Sequence, residues 1–480
     1  MNNKKIFHFN NFDYKLLLFF IPFLVIFGIT KQFIDNDFWF TINQGRYVLE
    51  NGFPNQVLFT VHSNLDFIYQ SWGTGVLFYT IFHYTSYIGI LLMVILFGEL
   101  FAYLTFKLSY EITNKKQVSY SLSIIITLIY SLTYLVTRPH IITSCLLLVE
   151  LLLLEKYYKT NNKKYLYFLP LLALLIVNIH GMYFMIFLVF MLPYIVNLFK
   201  FSLGNFISGY KEIKPLLFTF VISFIIGFIN PYTYKTVFYF LSSYGNEIMR
   251  KMVIELNPAS LADATGKFII ILIGIVYVLY IILAKKKIPV RYILLLLGST
   301  YLALDAEKSF NLFLIGSTLG ISYLLSGNDK KEEKISITRK GISIIVFSVL
   351  LLSLVISYDR VKLPYEELGK YLEDTYKKSN TIYTSLDTGG YLEYLGYKCY
   401  IDARAEVFLK DTNHKDDIFL EYYLLQNGMI NPKDFLNKYS FDLLVIDKQK
   451  EILYYKLDKD NYSYKMVYQD DNYVVYERKK

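Results

Sequence analysis

Residues 88–106 read IGILLMVILFGELFAYLTF, an apolar stretch in which Glu99 is the one charged side chain. The hydrocarbon core of a bilayer takes about 20 helical residues, so this stretch predicts a membrane-spanning helix. Ten further apolar stretches lie at 16–33, 118–136, 141–154, 165–177, 182–199, 216–229, 268–284, 292–304, 312–325 and 342–357. Those at 141–154 and 165–177 are short, and we expect them to extend into flanking polar residues or to be broken. The pattern predicts about eleven transmembrane helices.

The composition of the chain agrees with a membrane protein. Of its 480 residues, 54% are hydrophobic and 19% are charged, and the mean hydropathy is +0.36. Soluble domains carry about 25% charged residues. This composition excludes a disordered chain and a disulfide scaffold, and Cys145 and Cys399 indicate neither a structural disulfide nor a cysteine metal site. The polar N-terminus and the long first apolar stretch are not typical of a cleaved signal peptide.

The net charge of +9 would suggest a nucleic-acid partner if the cations formed one surface. With a cytoplasmic N-terminus, however, eleven spans place 22 Lys and Arg residues in the inside loops. Six lie in the outside loops: Arg46, Arg138, Lys235, Arg250, Lys251 and Lys308. This asymmetry follows the positive-inside rule. It predicts a multi-pass cell-membrane protein with its N-terminus in the cytoplasm and no nucleic-acid partner.

The composition divides the chain into two domains. Residues 1–357 hold the predicted spans and a large first outer loop at 34–87. After a helical pattern at 365–378, strand-like runs follow at 381–385, 398–401, 442–446, 464–468 and 473–476. Such an alternation predicts a small α/β domain at 358–480. Eleven spans place this domain outside the cytoplasm. The fold class is therefore an α-helical polytopic membrane protein with a C-terminal extracytoplasmic α/β domain.

Two carboxylates, Asp35 and Asp37, follow the first span and precede Trp39. One of them can act as a general base toward a hydroxyl while the other orients it, or the pair can hold a divalent cation, Mg²⁺ or Mn²⁺. A helix N-cap in a solvated turn is an equally good interpretation of the same residues. The length of the loop favours a functional role, because long loops in compact proteins are usually functional.

Other polar residues also fall at the predicted outer ends of spans. Arg138 and His140 flank a proline and can hold a phosphate by charge-assisted hydrogen bonds, or can anchor a lipid headgroup. Asn178 and His180 lie between two spans, where a lone histidine is more often a satisfied core residue.

A last membrane cluster combines Tyr232, Glu255 and Lys308. Asn230 and Pro231, which precede Tyr232, are primarily a signal that ends a span. Lys308 can neutralise a diphosphate, but a salt bridge with Asp305 or Glu307 is the simpler interpretation.

In the α/β domain, Asp387, Gly389 and Gly390 follow one predicted strand, and Asp402 and Arg404 follow another. We expect both groups in loops at strand ends, where α/β domains place ligand contacts. The glycines permit a tight turn, but their spacing is not that of a phosphate-binding motif. Closure of this domain onto the membrane loops is the favoured role for both groups.

These motifs together resemble those of bacterial multi-span proteins with a GT-C type glycosyltransferase fold. The shared elements are Asp-x-Asp-x-Trp at 35–39, then Gly45, Pro54, Phe59-Thr60 and Trp72, the turns at 138–140 and 178–181, Asn230-Pro231-Tyr232, Asp387-x-Gly-Gly-Tyr and Asp402-x-Arg. Their order covers nearly the whole chain. Two positions depart from the group, since Thr41 stands where relatives often carry His and Gly75 where an acidic residue is common.

The resemblance implies an enzyme that takes a sugar, a hexose or a pentose, from a polyprenyl-phosphate carrier and transfers it with inversion on the outer face. Its acceptor would be an envelope glycan, lipid or protein. In the fold an Asp of the first outer loop usually serves as the base, a role that Asp37 or Asp35 can fill here, with Asp37 favoured. On this hypothesis Arg138 holds the donor phosphate, helped by His140 or Lys308.

Two hypotheses of other classes stay open at this point. A transporter or flippase of a lipid-linked substrate would need charges along a path through the membrane, whereas the polar clusters here gather at one side. A non-catalytic scaffold whose outer domain binds an envelope polymer is the other alternative. Membrane lipids are expected partners in each case.

Overall fold

Ten of the eleven predicted apolar stretches form helices in the computed structural model. The structure describes residues 14–30, 33–196, 201–208, 214–243, 245–283, 287–326, 363–457 and 463–479. The main helices of the first part are α1 (Tyr14–Leu24, continued by a π-helix at Val25–Thr30), α2 (Asp37–Asn51), α3 (Trp72–Thr113), α4 (Lys116–Tyr134), α5 (His140–Thr160), α6 (Leu169–Ile179), α7 (Tyr183–Ile195) and α8 (Lys214–Ile226). The eleventh stretch, 342–357, lies outside the described residues.

Short helices connect these to the last helices of the membrane part. They are α9 (Tyr234–Phe238), α10 (Phe240–Ser243) and α11 (Glu247–Met252), followed by α12 (Ala264–Leu283), α13 (Val290–Asp305) and α14 (Phe310–Leu325). Single 3₁₀ turns at Ile254–Leu256 and Glu307–Ser309 precede α12 and α14. A small sheet joins β1 (Phe201–Leu203), β2 (Phe206–Ser208) and β3 (Ile288–Pro289).

Three of the described helices are long and apolar enough to cross a membrane by themselves: α3, α4 and α12. Helices α7 and α8 are apolar but shorter. The chain is thus a mostly helical membrane protein, and the number of eleven spans stays a prediction.

The segment 34–87, expected to be a loop, is partly helical. It contains α2 and the first turns of α3, which bends at Ser86, where φ is 55°. Helix α2 was missed because its buried face carries polar residues such as Thr41, Asn43 and Gln44 beside Trp39, so it lacks the apolar run of a membrane span.

The C-terminal region, 363–457 with 463–479, is an α/β unit, and each of its five predicted strands is present. Its elements are α15 (Glu366–Thr375), β4 (Thr381–Tyr383), α16 (Leu386–Tyr394), β5 (Lys398–Cys399), α17 (Lys410–Asn413), α18 (Ile418–Gln426), α19 (Pro432–Tyr439), β6 (Leu443–Asp447), α20 (Ile452–Leu457), β7 (Tyr464–Gln469) and β8 (Tyr473–Arg478). The strand order is β5-β4-β6-β8-β7. Strand β4 pairs in parallel with β5 and β6, whereas β8 pairs antiparallel with β6 and β7.

The loop between α2 and α3 extends this sheet at its β5 edge. Thr60 forms a parallel bridge with Cys399: Val61 N–H donates to the Cys399 carbonyl at 2.9 Å, and Cys399 N–H donates to the Phe59 carbonyl at 3.0 Å. Unpaired strand edges expose backbone donors and acceptors. The loop pairs with one such edge, and this pairing fixes the C-terminal region to the helical part. Cys399 and Cys145 are both buried and free.

Helix α2 is the second attachment of the C-terminal region. Trp39 is buried and its Nε1–H donates to the Tyr365 hydroxyl at 2.6 Å. The rings of Tyr391 and Tyr394, both on α16, lie 4.9 and 5.1 Å from Trp39. Aromatic pairs at these distances add to the stability gained by burial. Trp39 therefore docks the C-terminal region onto α2.

His62 anchors the same loop and predicts an acid-sensitive stability. Its Nε2–H donates to the Tyr400 carbonyl at 2.8 Å, and burial lowers its pKa to about 4. Because an unfolded histidine titrates at about 6.5, protonation opposes folding increasingly as the pH falls from 6.5 to 4, at a cost of about 3 kcal/mol. A His62→Gln variant keeps an N–H donor without the titration. Thermal unfolding between pH 7 and 4.5 should therefore show a smaller loss of Tm in the variant, and parallel curves would contradict the assignment.

Candidate active site

The turn before α2 is held by its own carboxylate. Oδ1 of Asp35 accepts the backbone N–H of Asp37 at 2.9 Å, which satisfies one of the free donors at the helix start. The backbone N–H of Asp35 donates to the Thr137 hydroxyl at 3.2 Å, and Thr137 N–H donates to the Phe33 carbonyl at 3.0 Å. These bonds bring the turn at 35–37 against the turn at Arg138.

Arg138 lies among three carboxylates. Its Nη2 is 3.1 Å from Oδ2 of Asp35, its Nε is 3.2 Å from Oδ2 of Asp37, and its Nη1 is 2.8 Å from Oε2 of Glu255. Glu255 also accepts through Oε1 at 3.0 Å, whereas the Nε of Arg138 makes no hydrogen bond among the described residues. Arg138 thus hydrogen-bonds Glu255 and holds Asp35 and Asp37 through ion pairs.

The pKa of the Asp37 carboxyl group lies near neutral pH. Burial raises its pKa, Arg138 lowers it, and the charges of Asp35 and Glu255 raise it again, so that the pKa reaches about 8. For Glu255 burial also opposes ionisation, but Arg138 outweighs burial and lowers the pKa. Carboxyl groups at different pKa values beside one guanidinium are typical of acid–base sites.

Lys308 extends from the turn before α14 and lines the same cavity as Asp37 and Arg138. Burial by the walls lowers its pKa, an effect that Glu255 and Glu406 oppose. The expected salt bridge with Asp305 is absent, because Asp305 pairs with Arg250 at 3.1 Å. Within the described residues no hydrogen bond or ion pair of Lys308 is found.

The two histidines of the site are engaged in local hydrogen bonds. His140 Nε2 lies 2.7 Å from the Tyr134 carbonyl, which only accepts, so His140 donates there. His180 lies 3.2 Å from the Thr143 hydroxyl and stacks on Tyr183 at 4.3 Å. Burial lowers the pKa of His180 to about 3. His180 is therefore neutral at physiological pH.

Two further candidates have structural contacts instead of a place in the cavity described below. Asn178 accepts from Trp72 Nε1 at 2.9 Å and donates to the Leu174 carbonyl at 2.8 Å. The Tyr232 hydroxyl donates to the Pro54 carbonyl at 2.8 Å. Asn178 ties the end of α6 to the first residue of α3, and Tyr232 ties the segment between α8 and α9 to the loop after α2.

The C-terminal candidates differ from their prediction in local structure. Residues 386–394 form α16, so Gly389 and Gly390 are helical and do not make a tight turn. A Cβ on Gly389 would lie against the Ile401 carbonyl oxygen, and one on Gly390 would lie 3.3 Å from the Phe40 nitrogen. The glycines allow α16 to pack closely against the segment after β5 and against α2.

Asp387 joins α16 to the turn at 35–37. Its Oδ1 accepts from the Asn36 side chain at 2.9 Å, and its Oδ2 pairs with Lys450 at 2.5 Å. Asn36 stands between Asp35 and Asp37 and makes no side-chain cap bond in α2. The favoured structural role of Asp387, closure of the C-terminal region onto the membrane part, agrees with these contacts.

Asp402 and Arg404 form a buried ion pair that continues to two more polar side chains. Arg404 is 3% exposed and pairs with Asp402 and, at 3.4 Å, with Glu393. With its amide oriented to accept, Gln44 of α2 takes hydrogen bonds from Arg404. This network seals the contact between α2 and the C-terminal region.

One cavity of about 710 Å³ joins most of these residues. Predicted residues that line it are Asp35, Asp37, Arg138, His140, His180, Glu255, Lys308 and Arg404. Its lining includes apolar residues of α7, α13 and α14, here called the membrane arm: Met185, Ile186, Val189, Leu302 and Leu312. It also includes residues of α2, of the following loop and of the C-terminal region, here called the interdomain arm: Phe40, Gln44, Phe67, Gln70 and Glu406.

Sequence reasoning missed the residues of the interdomain arm. Glu406 follows Arg404 by two residues, and its proximity to the Asp402-x-Arg motif was the one signal available. Burial raises the pKa of Glu406, and Lys308 and Arg404 lower it in part. Gln44 and Gln70 carry no signal of function in the sequence, since single amides are common in loops and helices.

No protein-family model and no curated protein matches the sequence. Solved structures do match in fold. The archaeal oligosaccharyltransferase AglB from Archaeoglobus fulgidus, in complex with an inhibitory peptide and a dolichol-phosphate, is 11% identical with a TM-score of 0.51, covering 97% of this chain and 74% of that chain. An A. fulgidus oligosaccharyltransferase tethered with an acceptor peptide has 12% identity, the same coverage and a TM-score of 0.49. The arabinofuranosyltransferase AftD from Mycobacteria has 12% identity, covers 97% and 40%, and has a TM-score of 0.49.

These neighbours are GT-C fold glycosyltransferases. AglB supports the fold through nearly the whole length of this chain. Helices followed by a C-terminal sheet region are the order that the apolar stretches and the strand-like runs of the sequence predicted. The chain is therefore similar in fold to a GT-C glycosyltransferase.

Proposed function

We propose that the chain is a membrane glycosyltransferase that moves a sugar from a polyprenyl-phosphate-linked donor to an acceptor of the cell envelope on the outer face. One observation carries the proposal: a cavity joins a carboxyl group of pKa about 8, a lysine to which the described residues supply no ion pair, and an apolar arm on the helices. The complex of AglB with a dolichol-phosphate gives the proposal a parallel in the fold.

Asp37 is the proposed general base. Its carboxylate removes the proton of an acceptor hydroxyl as that oxygen attacks the anomeric carbon of the donor sugar. The bond between the anomeric carbon and the phosphate oxygen breaks, and the polyprenyl phosphate leaves with the electron pair. A single displacement of this kind inverts the anomeric configuration. General base catalysis contributes about 10²–10⁴-fold to such a reaction.

Lys308 is the proposed phosphate ligand. The sequence favoured Arg138, but its guanidinium faces three carboxylates, so a phosphate there would replace partners already bound. We assign to Arg138 the role of holding the carboxylates and to Lys308 that of holding the phosphate. His140 already donates to the Tyr134 carbonyl, so the proposal gives it no part in binding the phosphate. Charge grows on the phosphate as it leaves, so Lys308 binds the transition state more strongly than the donor.

The charges of the site favour a monophosphate donor. A sugar phosphodiester carries one negative charge and Lys308 supplies one positive charge, whereas a diphosphate would bring excess negative charge close to Asp35, Asp37 and Glu255. Like charges held close together in a site of low dielectric repel each other several-fold more strongly than in water.

The membrane arm is the proposed path of the lipid chain. It follows α7 from Tyr183 to Val189, six residues or about 9 Å along the helix. Val189 is 40% exposed although it is apolar, as expected of a wall that faces lipid. A polyprenyl chain can lie there while its phosphate reaches Lys308.

A divalent cation is not part of this proposal. Asp35 and Asp37, the candidate ligands of a metal ion, form ion pairs with Arg138 instead. Among the residues that the structure describes, no group of three or more His, Cys, Asp or Glu side chains is arranged to hold a metal ion. The residues of the site thus fit a cation in the form of Arg138 better than a metal ion.

Binding of undecaprenyl phosphate tests the donor half of the proposal. A Lys308→Met variant should bind this lipid about tenfold or more weakly, because a hydrogen bond to a charged group is lost. Microscale thermophoresis of the purified chain in detergent measures the affinity, with undecaprenol as the uncharged probe. Lys251→Met is the matched control, since Lys251 is half-exposed, pairs with Glu247 at 3.5 Å and does not line the cavity. Equal binding of undecaprenyl phosphate by the wild type and Lys308→Met would refute the assignment.

A further inference from the structure

The interdomain arm offers hydrogen-bond acceptors without donors. Gln70 is 9% exposed, lines the arm, and its Oε1 has no hydrogen-bond partner among the described residues. The carboxylate of Glu406 lines the same arm, and no ion pair of it is found in the described part of the chain. A buried acceptor without a partner is unfavourable, so a ligand that donates hydrogen bonds would be bound favourably.

The charges around the arm disfavour an anionic ligand. Asp35, Asp37, Glu255 and Glu406 face the cavity. Arg404, which also lines it, is committed to Asp402 and Glu393, and Arg138 to its own three carboxylates. Among the described cavity residues, Lys308 is the cation left without such a partner, and the proposed function assigns it to the donor phosphate. An acidic acceptor would therefore meet like charges.

A cationic ligand and a peptide strand are also poor fits. An ammonium group of the ligand would pair with Asp37. This pairing would lower the pKa of Asp37 and make Asp37 a weaker base. A peptide commonly binds by adding a strand to a free sheet edge. The β5 edge beside the arm is covered by the loop at Thr60, which pairs with Cys399. A neutral donor of hydrogen bonds is the remaining chemistry.

The walls of the arm supply apolar faces for such a ligand. The rings of Phe40 and Phe67 line the arm and lie 5.7 and 5.6 Å from the guanidinium carbon of Arg404. Sugar rings combine C–H faces, which pack on aromatic rings, with hydroxyl groups that donate. Sites of this kind combine apolar walls with a few placed polar groups.

We infer that the interdomain arm binds a neutral, hydroxyl-rich glycan, with Gln70 and Glu406 accepting hydrogen bonds from its hydroxyl groups. The inference rests on the proposed function for one point, that this glycan is the acceptor of the transferred sugar. It narrows the acceptor class, since acidic polymers, lipid phosphates and peptides are disfavoured. The bound hydroxyl nearest Asp37 would be the one that loses its proton.

Binding of small glycans to the full chain in detergent tests the inference without any donor. The probes are neutral trisaccharides of hexose, pentose and N-acetylhexosamine, a matched uronic-acid trisaccharide, and neutral and lysine-containing tripeptides. Saturation-transfer NMR and titration should show at least one neutral trisaccharide binding more tightly than the uronate and the peptides. Gln70→Ala and Glu406→Gln should each weaken that binding about fivefold, the effect of one hydrogen bond. The exposed Gln449→Ala is the matched control and should bind like the wild type.

Each other result counts against the inference. It is overturned if no neutral glycan binds, if the uronate or a peptide binds best, or if glycan binding is unchanged in both variants while thermal unfolding shows that they are folded. Failure of the proposed function looks different. In that case the glycan binds through Gln70 and Glu406, but undecaprenyl phosphate binds equally well to the wild type and to Lys308→Met. The arm is then a glycan site of a protein that does not use this donor.

Discussion

An Asp37→Asn variant should lose sugar transfer by a factor of about 10²–10⁴, the contribution of general base catalysis. The amide cannot accept the proton of the acceptor hydroxyl, while it retains the shape of the side chain beside Arg138. Transfer is measured as the loss of labelled sugar from polyprenyl-phosphate-linked pools in membranes that contain the wild type or the variant. Undecaprenyl phosphate binding should be kept, because Lys308 is unchanged.

The pH dependence of transfer supplies the internal check on Asp37. The base must be ionised, and its pKa of about 8 predicts a wild-type rate that rises about tenfold per pH unit below 8 and levels off above it. The raised pKa also opposes folding as the pH rises from about 4, because the folded state favours the protonated form. Asp37→Asn should therefore be as stable as the wild type, or more stable, at pH 8.

Two matched variants separate the base from its neighbours. Asp35→Asn changes the carboxylate that caps α2 and should reduce transfer less than Asp37→Asn while it lowers Tm. Asp66→Asn, outside the residues that line the cavity, should transfer like the wild type. Unimpaired transfer by Asp37→Asn would refute the role of Asp37, and the same loss in Asp66→Asn would show that the assay reports something other than the site.

The helices and strands could be predicted because their signals are local. The apolar run at 88–106 lies wholly within α3, since a bilayer and a packed bundle both require the same apolar periodicity. The strands β6 and β8 likewise have continuous runs of buried residues. Helix α2 was missed because its polar buried face contacts the C-terminal region, about 350 residues further along the chain. Such a partner leaves no local pattern.

The candidate site was predicted as residues but not as contacts. Asp37, Arg138 and Lys308 were identified because polar groups at the ends of spans are costly to retain. Arg138 pairs with Glu255, 117 residues away, and Lys308 has no ion pair within the described part of the chain; both depend on how α4, α5 and α14 pack. The same holds for Gln70 and Glu406, whose meaning comes from the two surfaces that meet in the interdomain arm.

An Arg404→Met variant should destabilise the C-terminal region by about 3–5 kcal/mol, the usual cost of removing one partner of a buried ion pair. Arg404 is 3% exposed and Glu393 and Asp402 are 1% and 0% exposed by side chain. Burial and the neighbouring Asp402 raise the pKa of Glu393 well above its ordinary value, so without the guanidinium the two acidic groups would keep a buried negative charge that has lost its cation. Thermal unfolding in detergent and resistance of the C-terminal region to trypsin measure the effect. Arg478→Met, at an exposed bond to the Ser440 carbonyl, is the matched control and should cost less than about 1 kcal/mol.

The reason for this loss can be tested by removing the charges together. If uncompensated burial of Glu393 and Asp402 causes it, the triple variant Arg404→Met, Glu393→Gln, Asp402→Asn should recover part of the lost stability, because replacing a whole buried ion pair by neutral groups costs far less than breaking it. A triple variant as unstable as the single one would instead assign the loss to the packing of the Arg404 side chain between Phe40 and Phe67. Glycan binding by the recovered protein then shows whether this ion pair shapes the interdomain arm or only supports it, since the walls Phe40 and Phe67 remain in place.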